Sequence, residues 1–147
     1  MHAITMSLRV TAPGPAARVS AGRRQFSVGR PLEFDDASPH VSAVEYAVGA
    51  AGGEIVNGLR EFARRRRIAV DAIEAVVTGE LTHALTYLEV DGETEPPRLT
   101  RINVKVFVSA PDEPAIRALF ADMLDRLPLT RTLRTTIDLT TELILTS

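Results

Sequence analysis

The sequence predicts an α+β protein, because its apolar residues change from a two-residue period to a helical period and back. Alternation in the first third indicates antiparallel strands, and an apolar stripe from Val44 to Phe62 indicates a long helix. Residues 101–108 alternate again, and helical spacing follows Asp112. The predicted order is N-terminal antiparallel strands, a long central helix, two strands, a second helix and a C-terminal strand, in a single domain of residues 1–147.

The N-terminal strands are predicted from three segments of alternating apolar residues. The first is residues 4–10, and the second is residues 24–28 with Phe26 facing inward. The pattern continues through Leu32 and Phe34. Together these segments predict a meander of short antiparallel strands.

The long helix has a clear start signal and an unusual middle. Ser42 and Glu45 match the S-x-x-E capping box, which satisfies unpaired amides at a helix start. The stretch AVGAAGGEIVNG, residues 47–58, places glycines in the helix interior, where each costs about 1 kcal/mol relative to alanine. A phosphate-binding loop is excluded because no strand leads into the glycines and no Lys-Ser or Lys-Thr pair follows. A helix with one apolar and one small face is normally covered on both, which predicts a homodimer.

The rest of the chain predicts two strands, a helix and a final strand. Residues 71–81 alternate, and the pattern leaves open whether that strand continues through residues 85–87. Asp112 is a suitable N-cap for the second helix, and Pro128 is expected to end it. Residues 136–145 alternate and are rich in threonine, which favours a C-terminal strand.

Composition argues against several functional classes. With 45% apolar residues, 24% charged residues and a net charge of -2, the chain lacks the basic excess of nucleic-acid binders. We therefore expect no nucleic-acid partner. Its apolar stretches are shorter than the roughly 20 residues of a membrane span, and the N-terminus shows no leader pattern. We therefore expect a cytoplasmic protein without a membrane partner. The absence of cysteine excludes thiolate nucleophiles, disulfides and thiolate metal sites. His2, His40 and His83 show no metal-ligand spacing, and no metal or cofactor is expected.

Four consecutive arginines, residues 64–67, leave two interpretations open. They could form a basic patch for an anionic partner. The favoured interpretation is that they stay solvated and complement the negative end of the helix dipole, which agrees with the acidic net charge.

Two segments resemble the OsmC/Ohr family of hydroperoxide-reducing proteins, and the resemblance covers nearly the whole chain. RLPLTRTL, residues 126–133, is similar to the family's C-P-V-x-x-x-L segment, with Leu127 at the cysteine position. Residues 42–81 are similar to the family's long helix and following strand, and the family's first cysteine, in the middle of that helix, falls at Glu54. Both sulfur positions are therefore occupied by other residues.

The resemblance implies an intertwined homodimer with buried long helices, two sites at the interface and a role in stress response. It also implies thiol chemistry assisted by a glutamate and an arginine. The glutamate position holds Val44, and the arginine position is matched best by Arg30, with Arg23 and Arg24 as rivals. Glu45 lies one residue out of register. Because both cysteines are missing, we expect no thiol-dependent hydroperoxide reductase activity.

Three functions are compatible with these observations. The first is a dimer whose interface pocket binds a small apolar or acidic ligand, with the candidate lining residues Glu54, Leu127, Arg30, Val44 and His40. The second is an enzyme that uses Glu54 as a general acid or base. The third is a non-catalytic interaction or structural protein.

Glu54 carries the most specific of these expectations. Burying its carboxylate unpaired would cost several kcal/mol, so the group should pair with a cation, such as Arg30 of the partner subunit, or take up a proton. The alternative is a solvated carboxylate near Arg60 and Glu61.

Overall fold

The computed structural model describes residues 1–147, and its main elements follow the predicted α+β order. The strands are β1 (Arg9–Thr11), β2 (Ala17–Ala21), β3 (Arg24–Val28), β4 (Ala72–Thr82), β5 (Arg98–Ser109) and β6 (Asp138–Leu145). The helices are α1 (Ala43–Arg65), α2 (Ala84–Tyr87), α3 (Glu113–Met123) and α4 (Pro128–Leu133), with a 3₁₀ turn at Leu124–Arg126. The chain divides into two compact units, Met1–Ala47 and Val48–Ser147.

The N-terminal unit contains an antiparallel sheet of order β1-β2-β3, which confirms the predicted meander. The β2 strand was not predicted, and the strand expected over residues 4–10 starts only at Arg9. The pairing of β1 with β2 explains why β1 starts later in the sequence than predicted. Arg9 lies opposite Ser20, and β2 ends at Ala21 before the Gly22 turn (φ 64°), so the residues before Arg9 have no partner strand.

The expectations for Phe26 and for residues 32–34 are wrong. The Phe26 side chain is 42% exposed, with its ring centroid 5.4 Å from that of Tyr46. Residues 32–34 form a bend and irregular loop in place of a strand, and the Glu33 carboxylate there accepts hydrogen bonds from the amides of Phe34 and Asp35, each at 3.0 Å. A side chain that captures local amides in this way competes with a sheet ladder.

The ends of α1 are stabilised by specific hydrogen bonds. The predicted capping box is confirmed: the Ser42 amide donates to Glu45 Oε1, and the Glu45 amide donates to Ser42 Oγ, each at 3.1 Å. At the other end, the Ile68 amide donates to the Ala63 carbonyl at 2.9 Å. This bond and the left-handed backbone of Arg67 (φ 56°) form a helix-ending motif in which glycine is usual.

The glycines of residues 47–58 lie inside α1, as predicted, and one of them allows close approach to the second sheet. Ile55 and Leu59 on the same helix are fully buried in the core. A Cβ added at Gly52 would overlap the side chain of Val77 on β4. The packing explanation for the glycine stretch therefore holds at Gly52.

The second sheet has the order β4-β5-β6, with β4 antiparallel and β6 parallel to β5. Its inner face carries fully buried residues of β5, namely Ile102, Val104, Val106 and Val108. The outer face is polar, and there Arg101 bridges Glu80 at 3.4 Å and Asp138 at 3.1 Å. The predicted alternation of β5 is confirmed, and β4 and β6 match their predicted segments.

The connections around the second sheet decide one open question and correct one expectation. Residues 84–87 form a short helix, so β4 does not continue, because His83 turns into the left-handed region (φ 57°). The Asp112 side chain caps α3 as predicted, accepting the Ala115 amide at 3.0 Å. Pro128, however, is the first residue of a further helix, a position where its missing N–H costs nothing. None of the helices is long and apolar enough to cross a bilayer.

Candidate functional site

The Glu54 carboxylate on α1 is bound by three donors at the start of α4. The backbone amides of Leu129 and Thr130 donate to its two oxygens at 2.9 and 2.8 Å. The Thr130 hydroxyl, which is fully buried, donates to Oε1 at 2.8 Å. A side chain from one helix thus supplies the N-terminal acceptor for another.

This arrangement follows from the sequence of α4. Leu127 precedes the helix and has no side-chain oxygen, and Pro128 has no N–H, so the next two amides need an acceptor from elsewhere. Glu54 provides one, and its negative charge also interacts favourably with the positive end of the helix dipole. The half-buried carboxylate is therefore compensated without a cation.

The expectation that Glu54 pairs with a cation is not met within the chain, where it forms no ion pair. The solvated alternative is also wrong, because the Glu54 carboxylate is half-buried and accepts three hydrogen bonds from α4. Pairing with Arg30 of the partner subunit stays a prediction.

Leu127 belongs to the core. Its side chain is 5% exposed and packs against the backbone of α1, where a Cβ added at Gly58 would lie 2.6 Å from Leu127 Cδ2. Two positions that the family resemblance picks out, Glu54 and Leu127, thus lie at the same contact between α1 and the start of α4.

Arg30 and His40 line an open cleft of about 340 Å³ in the N-terminal unit. The Gly29 amide donates to the Val41 carbonyl at 2.7 Å, which closes the intervening loop and brings the two side chains to one opening. A Cβ at Gly29 would lie 2.9 Å from the His40 Cβ, so this approach requires glycine. His40 also lines two neighbouring clefts of the same unit.

The charged side chains around this cleft differ in how many hydrogen bonds they already make within the chain. The Glu33 carboxylate accepts two loop amides, and the backbone hydrogen bond from Asp35 is the main factor that lowers its pKa. The Asp35 carboxylate accepts the Ala37 amide at 2.9 Å. Arg30, in contrast, forms no ion pair within the chain and remains exposed. The cationic or ionisable donors of the cleft are therefore Arg30 and His40, beside the Ser38 hydroxyl, and the Arg30 charge also helps to lower the pKa of Glu33.

Val44 is the second residue of α1, and its amide donates to the Pro31 carbonyl at 3.4 Å. The neighbouring Ala43 amide donates to the Arg30 carbonyl at 3.2 Å. The start of α1 is thereby attached to the loop that carries Arg30. Glu45 has the capping role predicted for it, and hydrogen bonds from Ser42 lower the pKa of its carboxyl group.

The arginine run is mainly occupied by intramolecular ion pairs. Arg64 and Arg65 bond to Glu61 at 2.8 and 2.7 Å, and Arg66 pairs with Asp122. The hydrogen bonds from Arg64 and then Arg65 lower the pKa of Glu61 from 4.5 to about 2. This agrees with the interpretation as solvated cations at a helix end.

Sequence reasoning missed Thr130 and the α4 amides. The signal was present: proline is favoured at the first position of a helix, so Pro128 with Thr130 two residues later is also a helix-start pattern. That Glu54 would reach it across 75 residues could not be seen in the sequence.

Comparison with known proteins reveals the family. Residues 35–142 match the family described as OsmC-like protein. The chain belongs to the OsmC-like family. It contains no cysteine, and so it is a divergent OsmC-like protein without either sulfur position. A comparison with curated protein sequences gives no significant match.

Solved structures show the same fold at low sequence identity. An OsmC-like protein from Mycoplasma pneumoniae has a TM-score of 0.78 and 12% identity, covering 98% of this OsmC-like chain and 99% of the other. An OsmC-like protein of unknown function from Vibrio cholerae has a TM-score of 0.71 and 13% identity, covering 97% and 100%. An organic hydroperoxide resistance protein from Legionella pneumophila has a TM-score of 0.68 and 10% identity, covering 98% and 99%. At such identities the likeness concerns the fold alone.

Proposed function

We propose that this OsmC-like protein is a homodimer that binds a small carboxylate-bearing or apolar molecule and has no thiol peroxidase activity. The observation that carries the proposal is the cleft lined by Arg30 and His40, whose side chains form no ion pair within the chain. The carboxylates of Glu33 and Asp35 in the same loop already accept hydrogen bonds from backbone amides. An arginine in such a setting binds carboxylates through charge-assisted hydrogen bonds.

Loss of peroxidase chemistry follows from the residues at the family's sulfur positions. Leu127 is chemically inert, and a carboxylate is a poor nucleophile toward peroxide oxygen. We expect purified protein to give no turnover of cumene hydroperoxide with a dithiol reductant above the protein-free rate. Protein-dependent turnover would contradict this part of the proposal.

The homodimer is supported by the exposed face of α1. Gly49, Ala50, Gly53 and Asn57 lie exposed on this helix, and added Cβ atoms at Gly49 and Gly53 would meet nothing within 4 Å. A face of small residues lets two helix backbones approach closely, and the same face on a second copy would cover it with two-fold symmetry. In this proposal the whole chain is one domain, and the partner subunit covers its exposed helix face. We also propose that the protein is cytoplasmic.

Ligand binding can be tested with simple carboxylates. Octanoate and benzoate are titrated into ¹⁵N-labelled protein, and we expect chemical-shift changes centred on residues 29–41. Because a hydrogen bond to a charged group contributes about 1.5–3 kcal/mol, Arg30→Gln should weaken binding about tenfold or more. The matched control is Arg117→Gln, another exposed arginine without an ion pair, which should bind as the wild type does. Equal binding by the two variants would overturn the assignment of Arg30.

A second candidate function, an interaction or structural protein, is favoured by one observation. The Glu54 carboxylate is engaged by three donors of α4, which makes it a structural acceptor more than a general base. Native mass spectrometry of the purified dimer separates the two candidates. A small molecule that co-purifies with the wild type but not with the Arg30→Gln variant supports ligand binding. A dimer that carries no small molecule and does not bind added octanoate or benzoate supports the structural role.

A further inference from the structure

A second cleft adjoins the one lined by Arg30 and His40. It has a volume of about 260 Å³ and is lined by Arg18 of β2 and Ser27 of β3. Pro15 and His40 line both clefts, so the two openings share a wall. We call the first the Arg30 cleft and the second the Arg18 cleft.

The sheet pairing and the loop contact place Arg18 near His40. Arg18 lies opposite Ser27 in the antiparallel register of β2 and β3. Gly29 follows β3 directly, and the hydrogen bond from its amide to the Val41 carbonyl holds His40 near the end of the hairpin. The Arg18 cleft is therefore formed by the sheet on one side and by the returning loop on the other.

The two clefts differ in charge. None of the residues that line the Arg18 cleft is acidic, and Arg18 is exposed and forms no ion pair within the chain. The Arg30 cleft also contains Glu33 and Asp35, whose carboxylates accept backbone amides of their own loop. An anionic group in the Arg18 cleft thus meets a guanidinium without a competing carboxylate, so this cleft offers a second position for a negative charge.

The junction of the two clefts is formed by Pro15 and His40. The Pro15 ring is apolar, and so is the methyl group of Ala16, which also lines the Arg18 cleft. The imidazole of His40 can contact an aliphatic chain with its ring or donate an N–H to a carboxylate. A ligand that reaches both arginines therefore crosses an apolar junction, which favours a hydrocarbon chain between its charged groups.

We infer that the ligand of the two clefts is an aliphatic dicarboxylate, with one carboxylate on Arg30, the other on Arg18 and the carbon chain across Pro15. Each guanidinium forms charge-assisted hydrogen bonds with one carboxylate. Because the two arginines line separate openings, two anionic groups joined by an apolar chain fit better than one doubly charged group. The inference rests on the proposed binding of carboxylates at Arg30 and adds Arg18 as the residue that selects for a second carboxylate.

Pairs of ligands of equal length test the role of the second carboxylate. Hexanedioate, octanedioate and decanedioate are each compared with the monocarboxylate of the same length, by titration into ¹⁵N-labelled protein near neutral pH, where all carboxylates are ionised. At least one dicarboxylate should bind about fivefold more tightly than its monocarboxylate, which is the upper range for an exposed charge pair. Arg18→Gln should remove this preference, so that the two ligands of a pair bind equally. Arg30→Gln should weaken the binding of both.

The matched control is Arg24→Gln, which removes an exposed arginine of the same sheet that lines neither cleft. This variant should keep the preference for dicarboxylates, and the amide spectra show whether each variant is folded. The inference would be overturned by a wild type without the preference in any pair, by a preference that survives Arg18→Gln, or by one that Arg24→Gln also removes. Each of these results would leave carboxylate binding at Arg30 intact. A wild type that binds neither class of ligand would instead overturn the proposed function, and the inference with it.

Discussion

Helix α1 has two faces built partly from the same residue types, and they lie in opposite environments. On one face Ala51, Ile55 and Leu59 are fully buried in the core. On the other, Ala50 and Asn57 are exposed. Small residues on the first face are explained by packing within the chain, whereas those on the second face have no such explanation there.

The neighbouring glycines of α1 show the difference most directly. A Cβ at Gly52 would overlap Val77, but a Cβ at Gly53 would meet nothing within 4 Å. Each glycine costs the helix about 1 kcal/mol relative to alanine. The cost at Gly52 is offset by close packing in the chain, and no contact within the chain offsets the cost at Gly53. Substitutions on the two faces can therefore test which face of α1 packs within the chain and which face packs against the proposed partner.

The largest expected effect is the loss of a buried side chain. Ile55→Ala should lower the free energy of unfolding by about 2–5 kcal/mol, because it removes apolar contacts and leaves a cavity. The matched variant Asn57→Ala, on the exposed face, should change it by less than about 0.5 kcal/mol in the monomer. Urea unfolding of dilute protein measures both, and equal losses would contradict the assignment of the faces.

Glu54 lies at the border between the two faces, and its removal should have the next largest effect. Glu54→Ala leaves two amides and the buried Thr130 hydroxyl without their acceptor, so we expect a loss of about 2–3 kcal/mol in unfolding free energy. Glu54→Gln keeps one acceptor oxygen and should lose about half as much. Thermal unfolding ranks the variants, and an unchanged midpoint for Glu54→Ala would show that the carboxylate does not stabilise α4.

The adjacent glycines should respond with opposite signs. Gly52→Ala should destabilise the fold by about 1–3 kcal/mol, because Val77 or the helix must shift. Gly53→Ala should stabilise the monomer by about 1 kcal/mol through helix propensity. The same Gly53 variant should weaken the proposed dimer, which sedimentation equilibrium measures. Stronger association of Gly53→Ala would argue against close packing of this face.

The smallest effect concerns the charged end of α1 and depends on pH. Arg64 and Arg65 lower the pKa of Glu61 from 4.5 to about 2, so in the folded protein the carboxylate stays charged where the unfolded chain would be protonated. Its stabilising contribution is complete above pH 4.5 and disappears as the pH falls toward 2. Glu61→Gln should flatten the pH dependence of unfolding in that window, whereas Glu74→Gln, at an exposed position without an ion pair, should not. Identical profiles for both variants would contradict the assignment to Glu61.

Elements with a strong local signal were predicted well. The capping box at Ser42 and Glu45, the position of α1 and the alternation of β5 each depend on residues close together in sequence. Errors arose where a local pattern needed a distant partner. Residues 4–8 alternate like a strand, but the opposite strand ends at Ala21, and Pro128 was interpreted as a helix end although it begins α4.

The sequence alone determined the family resemblance, the absence of cysteine and the position of the long helix, because these depend on residue identity and short-range periodicity. Only the tertiary structure showed that Glu54 caps α4 and that Arg30 and His40 share one cleft. The physical reason is that hydrogen-bond partners and cavities depend on which segments approach one another in space. Spacing in the sequence can propose that Glu54 and Leu127 belong together, but only the fold supplies the amides that satisfy the carboxylate.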